Sequence, residues 1–465
     1  MIATKYKILP LLLLTLLPAC KTVTEQVSPN AEEALPDSRG TFLESEPQDS
    51  QPLNEDWWTL FKDPTLNNLI EQLNQDNPDA QAALARVDQS FSVLGITRSA
   101  LLPTLRGEAS AGQRKDSINN LLFPISSPEY DRFAIGLSTS WEIDIWGRVK
   151  SSAKRDKFTA EGEEATYRGL VLSLQASLAQ QYFAYQAARK ELTYLERSRD
   201  LAAEKLKMEE TRLSIGEGLQ SDVSQAQSDL QSTESALETA KRNIGKLQHA
   251  LAILVGTLPS KFPEIETHSP AVPKIPVGLP SDLLVHRPDL LSVDRQLRSA
   301  AAQVGIRKVD FLPKITLLGN GGYASLNEEN LFEKNSELFD IGPQISIPVF
   351  QYKYRKFLIL QAKSKFQEIA ANFKSTFLNA VKEVDDALLE VHSYTRELQL
   401  QRQTLAATTL SAQAAKDRYD TGLTDYFDFI TAEQIRLQSA AQEANLSAEQ
   451  LNATVRLIQA LGGKW

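Results

Sequence analysis

Arg418, Tyr419, Asp425 and Asp428 fall close together around Gly422, in the stretch RYDTGLTDYFD. Carboxylates repeated around a symmetry axis form a negative constriction that binds cations and disfavours anions, and a nearby guanidinium can pair with them. The same residues also suit plainer work. Gly422 fits the left-handed stop of one helix, and Thr424 or Asp425 fits the N-cap of the next. Asp425 fits both a capping role and an electrostatic one. A sparser version, RLSIGEGLQSD, holds Arg212, Gly216 and Asp222 earlier in the chain.

Other candidate chemistry is thin. His249, His268, His286 and His392 lie far apart with no metal-ligand spacing, and Cys20 is the sole cysteine. The glycines of GNGG at 319–322 lack the spacing and lysine of a phosphate-binding loop. Asp385 and Asp386 sit on adjacent faces of a helix and do not converge. These residues point to no enzyme, no metal site and no cofactor. A formal charge of −9 without a Lys/Arg cluster argues against a nucleic-acid partner.

The chain opens MIATKYKILPLLLLTLLPAC, with Lys5 and Lys7 before an apolar run from Ile8 to Leu17. That run is too short to span a bilayer, which needs about 20 residues, and reads as an export leader over 1–19. The LPAC tetrapeptide resembles the lipobox of bacterial lipoproteins, which implies cleavage and acylation at Cys20. Lys21 stands where an Asp would direct inner-membrane retention, so outer-membrane sorting is expected. Residues 20–56, rich in Glu, Asp, Ser and Pro, read as a lipidated flexible tether.

What must position the two polar turns is a unit written twice. Pro78 and Pro288, Asp79 and Asp289, Gly95 and Gly305, Pro103 and Pro313, and Gly112 and Gly322 are all 210 apart. From Ile135 and Ile341 the offset is 206, and it relates Arg212 to Arg418, Gly216 to Gly422 and Asp222 to Asp428. The drop from 210 to 206 gives the first copy four extra residues between Gly112 and Ile135, which marks a loop. The copies span 57–256 and 282–465, joined by a proline-rich link at 257–281. Each reads helix, strand, loop, strand, long helix, tight turn, helix. The long helices, about Gly147–Ile215 and about Tyr352–Thr421, contain no proline. Each would be roughly 100 Å long at about 1.5 Å per residue, a coiled-coil length. In the first returning helix Val223, Ala226, Leu230, Thr233, Leu237, Ala240, Ile244, Leu247, Leu251 and Leu254 form a heptad seam.

The strands alternate. Phe133, Ile135, Leu137, Thr139 and Trp141 share one parity, as do Phe339, Ile341, Pro343 and Ile345. Pro343 is expected to mark a bulge, and Tyr130, Phe133, Trp146, Tyr323 and Phe339 to lie near strand ends as an interfacial girdle. A soluble sheet packed on helices would alternate in the same way. In lipid, however, open sheet edges are untenable and barrels must close. Single-chain barrels start at about eight strands, so four per chain demand several copies. Two copies give a narrow, side-chain-filled barrel; three give twelve strands and a wider lumen.

These features resemble the outer membrane factor family, the TolC-like exit ducts, in its lipoprotein branch of NodT/OprM type. The resemblance covers nearly the whole mature chain. It rests on WWTLFKDPTLNNLI at 57–70, HRPDLLSVDRQL at 286–297, the LP pairs at 102–103 and 312–313, WEIDIWGRVKSSAK at 141–154, and the turns at 212 and 418. It implies a mainly α protein with a small β part. A homotrimer would complete a 12-stranded outer-membrane barrel, with an α-helical periplasmic barrel and an equatorial region from the termini and link. It also implies a periplasmic adaptor, an inner-membrane pump of RND or ABC type, and passive export of drugs, metals or other small molecules. Arg418, Tyr419, Asp425 and Asp428 would form the periplasmic gate, and Arg212, Gly216, Asp222 and Gly422 the tip that meets the adaptor. Two residues depart from the family pattern: Lys353, where many relatives have Gly, and Thr431, where many have Asp. The other readings are an exit duct for type I protein secretion and a non-conducting structural envelope lipoprotein.

Overall fold

In the computed structural model the described residues are 29, 56–115, 117, 129–266, 268, 270–273, 275 and 287–463. The leader, Cys20, nearly all of the tether, part of the link and His286 lie outside them. The main elements are α1 (Pro64–Asp76), α2 (Pro78–Ser99), β1 (Thr104–Lys115), β2 (Glu129–Glu142), α3 (Arg148–Ser214) and α4 (Gln220–Leu254). There follow α5 (Pro288–Val309), β3 (Lys314–Ser325), β4 (Glu337–Ser346), α6 (Tyr352–Asp420) and α7 (Tyr426–Ala460). Chain contacts divide the protein into two compact units, one built on 87–163 and 293–373, the other on 36–86, 164–292 and 374–465.

The first unit holds one antiparallel sheet of order β1-β2-β3-β4. Its two hairpins share one register: Thr104 pairs with Ser140 as Lys314 pairs with Ser346, and the two offsets relate one pair to the other. The four additional residues therefore lie in the connection between Lys115 and Glu129, where they leave the pairing undisturbed. Cross-strand pairing puts Leu105, Ala109, Ile135, Leu137, Leu317, Tyr323, Phe339 and Ile341 on one face. Arg106, Glu108, Ser138, Ser140, Thr316, Asn320, Asp340 and Gln344 share the other. One face is thus apolar across all four strands and the other polar. Many of the apolar side chains stand exposed, Phe339 at 86%.

Gly136 and Gly322 face each other across β2 and β3. A Cβ on Gly322 would overlap the Ile135 carbonyl and come 2.5 Å from the Gly136 Cα, so this crossing requires glycine. Pro343 makes no bulge. Its pairing with Leu317 sits in an unbroken ladder, because β4 is an edge strand and the proline nitrogen faces away from β3.

The joint between β2 and α3 explains WEIDIWGRV. Glu142 accepts two bonds from Arg148 (2.9 and 2.7 Å) and an ion pair from Lys314 (2.9 Å). Asp144 accepts the Val149 and Lys150 N–H groups (2.9 and 2.8 Å), satisfying donors at the helix start. Trp146 lies just past the strand and donates Nε1–H to the Pro313 carbonyl at 2.7 Å, while Trp141 does the same to Leu101 at 2.9 Å. Each LP turn is thereby tied by a tryptophan. Gly147 takes a positive φ of 74° before α3, whereas Lys353 lies inside α6 and needs no such freedom.

The second unit is built on a core of Trp57, Phe61, Leu66, Ile70 and Leu73 against Tyr182, Phe183, Leu251 and Val455. The WWTLFKDP motif forms a 3-10 turn, a left-handed Lys62, and Asp63 as N-cap of α1. Tyr182 donates to Asp63 at 2.7 Å. Burial, and then that carboxylate, hold its hydroxyl far above the ordinary tyrosine range. Buried Arg287 reaches Asp289, Glu383 and the Ala460 carbonyl (2.7, 2.7 and 2.8 Å), so its motif fastens the last helix as well as starting α5. The expected seam on α4 is buried or half-buried at every position from Val223 to Leu254.

Candidate functional site: the paired helical turns

The α3–α4 and α6–α7 turns stop by one mechanism. Gly216 and Gly422 adopt φ of 81° and 74°. Glu217 N–H returns to the Arg212 carbonyl at 2.9 Å, and Leu423 N–H to Arg418 at 2.8 Å. A glycine without Cβ makes this left-handed cap strain-free. Beyond it, Asp425 is the N-cap of α7, accepting the Phe427 N–H at 3.3 Å. Thr424 donates its hydroxyl to Asp428 in the first helical turn. Asp222 occupies the matching place on α4, within 3.5 Å of the Ser221 hydroxyl, where the helix dipole favours a carboxylate.

Asp425 therefore has local capping work, Asp222 and Asp428 bond neighbouring hydroxyls, and all three leave their side chains at the surface or half-buried. Arg418 is exposed and, among the described residues, pairs with no carboxylate. It is Arg212 that makes contacts, lying 3.5 Å from Glu209 and 5.6 Å from the ring of Phe427. Tyr419 packs on Tyr426 with ring centroids 4.8 Å apart, and Tyr426 on Phe429 at 5.5 Å.

Tyr426 also ties the two hairpins, donating its hydroxyl to Glu204 at 2.6 Å across from α7 to α3. Burial and the Glu204 acceptor push the Tyr426 hydroxyl up to about 12. Beneath it Leu201, Ile430 and Leu437 form a small buried cluster, with Tyr194, Met208 and Tyr426 packed on it. Sequence reasoning missed Tyr426, Phe427 and Glu204. The signal was an asymmetry between copies: at an offset of 206, Tyr426, Phe427 and Phe429 replace Gln220, Ser221 and Val223. Among the described residues no group of three or more His, Cys, Asp or Glu side chains is arranged to hold a metal. None of the described helices is long and apolar enough to cross a membrane.

With a two-faced sheet and paired helical hairpins in place, comparison with known proteins decides the family. The model of the outer membrane efflux protein family matches residues 69–257 and 279–463, most of the chain. The chain belongs to that family. The outer membrane efflux protein is 28% identical over 471 residues to the solvent efflux pump outer membrane protein SrpC of Pseudomonas putida, covering 99% of each chain. It is 27% identical over 416 residues to the cation efflux system protein CusC of Escherichia coli O6:H1, covering 89% of each. Its fold matches the CmeC outer membrane channel of Campylobacter jejuni with a TM-score of 0.84 at 25% identity, covering 94% of each chain. The efflux protein thus works in the outer membrane as a channel, and its family is not one of enzymes.

Proposed function

We propose that the protein is the exit duct of a tripartite efflux system, a passive channel with no catalytic step. Three copies close their four-stranded sheets into a 12-stranded barrel. A periplasmic adaptor and an inner-membrane pump, of RND or ABC type, deliver the cargo and the energy. The observation that carries this reading is the sheet: one face apolar, the other polar, and β1 and β4 left as open edges. In lipid, an open edge leaves backbone groups unsatisfied at several kcal/mol each, so only closure through further copies is tenable. Because the strands alternate in direction, β4 of one copy meets β1 of the next antiparallel, and a ring of copies closes without a mismatch. The apolar parity then faces lipid and the polar parity the lumen.

Cys20 carries the lipid anchor in this reading. Small organic molecules or metal cations are the cargo, in line with the solvent and cation efflux named for SrpC and CusC. Those names favour efflux over protein secretion. The paired turns form the resting gate: Arg418, Tyr419, Asp425 and Asp428 narrow the entrance, and Arg212, Gly216, Asp222 and Gly422 shape the surface the adaptor meets. Purification from outer membranes should yield detergent-stable trimers that conduct in planar bilayers. A non-conducting monomer would overturn the proposal and favour a structural lipoprotein.

A further inference from the structure

The open edges of the sheet carry charges of opposite sign at the same end. β1 finishes with Arg114 and Lys115, whereas β4 begins with Glu337 and reaches Asp340. Within one copy these ends do not stand level. The ladder carries Glu337 to Tyr323, then to Ile135, then to Ala109, so an unstaggered ring would set Glu337 against Ala109 of the neighbouring copy. That arrangement would also leave the last residues of β4 opposite positions before β1 begins.

A barrel cannot close unstaggered. Strands about 4.8 Å apart and tilted about 40° slip by about 16 Å over four strands, or about five residues at about 3.3 Å each. Continuity of the apolar face requires odd-numbered residues to meet odd, so the slip is an even number, four or six. Either keeps all of β4 opposite β1. A slip of four sets Glu337 against Gln113. A slip of six sets it against Lys115, and places Asp340 opposite Gly112, diagonal to Arg114. Lys115 already lies 3.9 Å from Glu129 on β2, and all three side chains share one face at the rim. Opposite charges directly across antiparallel strands stabilise the pairing.

We propose that adjacent copies join β4 to β1 with a six-residue stagger, seating Lys115 between its own Glu129 and Glu337 of the neighbouring copy. The occupant of each open edge is a second copy of this chain, and the charged rim sets the register. This rests on the trimeric barrel proposed above and adds its register.

Cysteine pairs test it in the full-length protein in outer membranes, with Cys20 alone as the parent. Ala111→Cys with Ile341→Cys, and Gly107→Cys with Ile345→Cys, report a stagger of six and keep the rim charges. Leu105→Cys with Ile345→Cys reports four, and Leu105→Cys with Ile341→Cys reports none. Directly opposed positions, about 4.5–5.5 Å apart, suit a disulfide. The expected result is reducible dimers and trimers severalfold more abundant in both six-residue pairs than in either other pair. Preferential linkage through Leu105 would overturn the register while leaving the trimer intact. The oligomeric size of the parent, measured separately, shows whether the trimer itself fails.

Discussion

Replacing Tyr426 with Phe removes one hydroxyl and leaves the ring that packs on Tyr419 and Phe429. The lost interaction is the 2.6 Å bond to Glu204, a link from α7 to α3 that a side-chain deletion removes cleanly. A hydrogen bond to a charged group contributes about 1.5–3 kcal/mol. Here Glu204 is exposed and Tyr426 half-buried, so water takes over the carboxylate and the loss falls to about 1–1.5 kcal/mol per chain. If three turns close together, the closed state loses about 3–4.5 kcal/mol, a factor of about 10²–10³ in the closed-to-open ratio. Single-channel recording of Tyr426→Phe trimers should show the open fraction rising by that order, with unchanged conductance of the open state. Glu204→Gln should give a similar rise, and the double variant should add little to either single change.

The same bond predicts a pH window. Burial and the Glu204 carboxylate push the Tyr426 hydroxyl up to about 12, above the ordinary value of about 10. The protonated donor is therefore favoured when the turn is docked. Its contribution is complete below about pH 10 and is lost as pH rises toward about 12. The wild-type channel should open across that interval and Tyr426→Phe should not respond. Equal open fractions for wild type and all three variants, at neutral and at high pH, would show that this bond does not help hold the proposed gate closed.

Three further outcomes follow from the geometry. Asp425→Ala removes the α7 cap and should destabilise by about 1 kcal/mol in thermal unfolding, whereas Asp425→Asn keeps the cap acceptor. If the charge also tunes the entrance, both should weaken cation preference in bilayer reversal potentials. Asp428→Ala combined with either should weaken it further, and unchanged selectivity in all would leave capping as the whole role. Trp146→Phe orphans a half-buried contact to the Pro313 carbonyl and should cost about 1–3 kcal/mol, read as a lower denaturation temperature of the trimer. Gly322→Ala forces a methyl into the β2 backbone and should cost about 1–3 kcal/mol from overpacking. It should lower the yield of folded protein in the outer membrane, with Gly342→Ala, where nothing lies within 4 Å, as the tolerated control.

Much of the fold was legible because it depends on periodicity. A repeat of two along Phe133–Trp141, a repeat of seven along Val223–Leu254, and long runs without proline each report backbone geometry residue by residue. Pro343 misled for a related reason. A proline disturbs a ladder only where its nitrogen faces the partner strand, and which side each nitrogen faces depends on sheet order, which alternation does not encode. The bond made by Trp146 was not legible, because an aromatic near a strand end serves equally as an interface residue or as a hydrogen-bond donor. The choice turns on a carbonyl more than a hundred positions away. The turn shows the limit most clearly. Its glycines and cap residues were readable, since capping is local and involves neighbours in sequence. The tie from Tyr426 to Glu204 spans 222 positions between elements of different copies, and no local pattern marks it. It left one trace, the aromatic run in the second copy where the first has Gln220 and Ser221. Where a duplicated chain keeps its scaffold and changes only one of two equivalent turns, the changed turn is where symmetry between the copies has been given up. That inequality fits the proposed gate, in which one hairpin moves against the other.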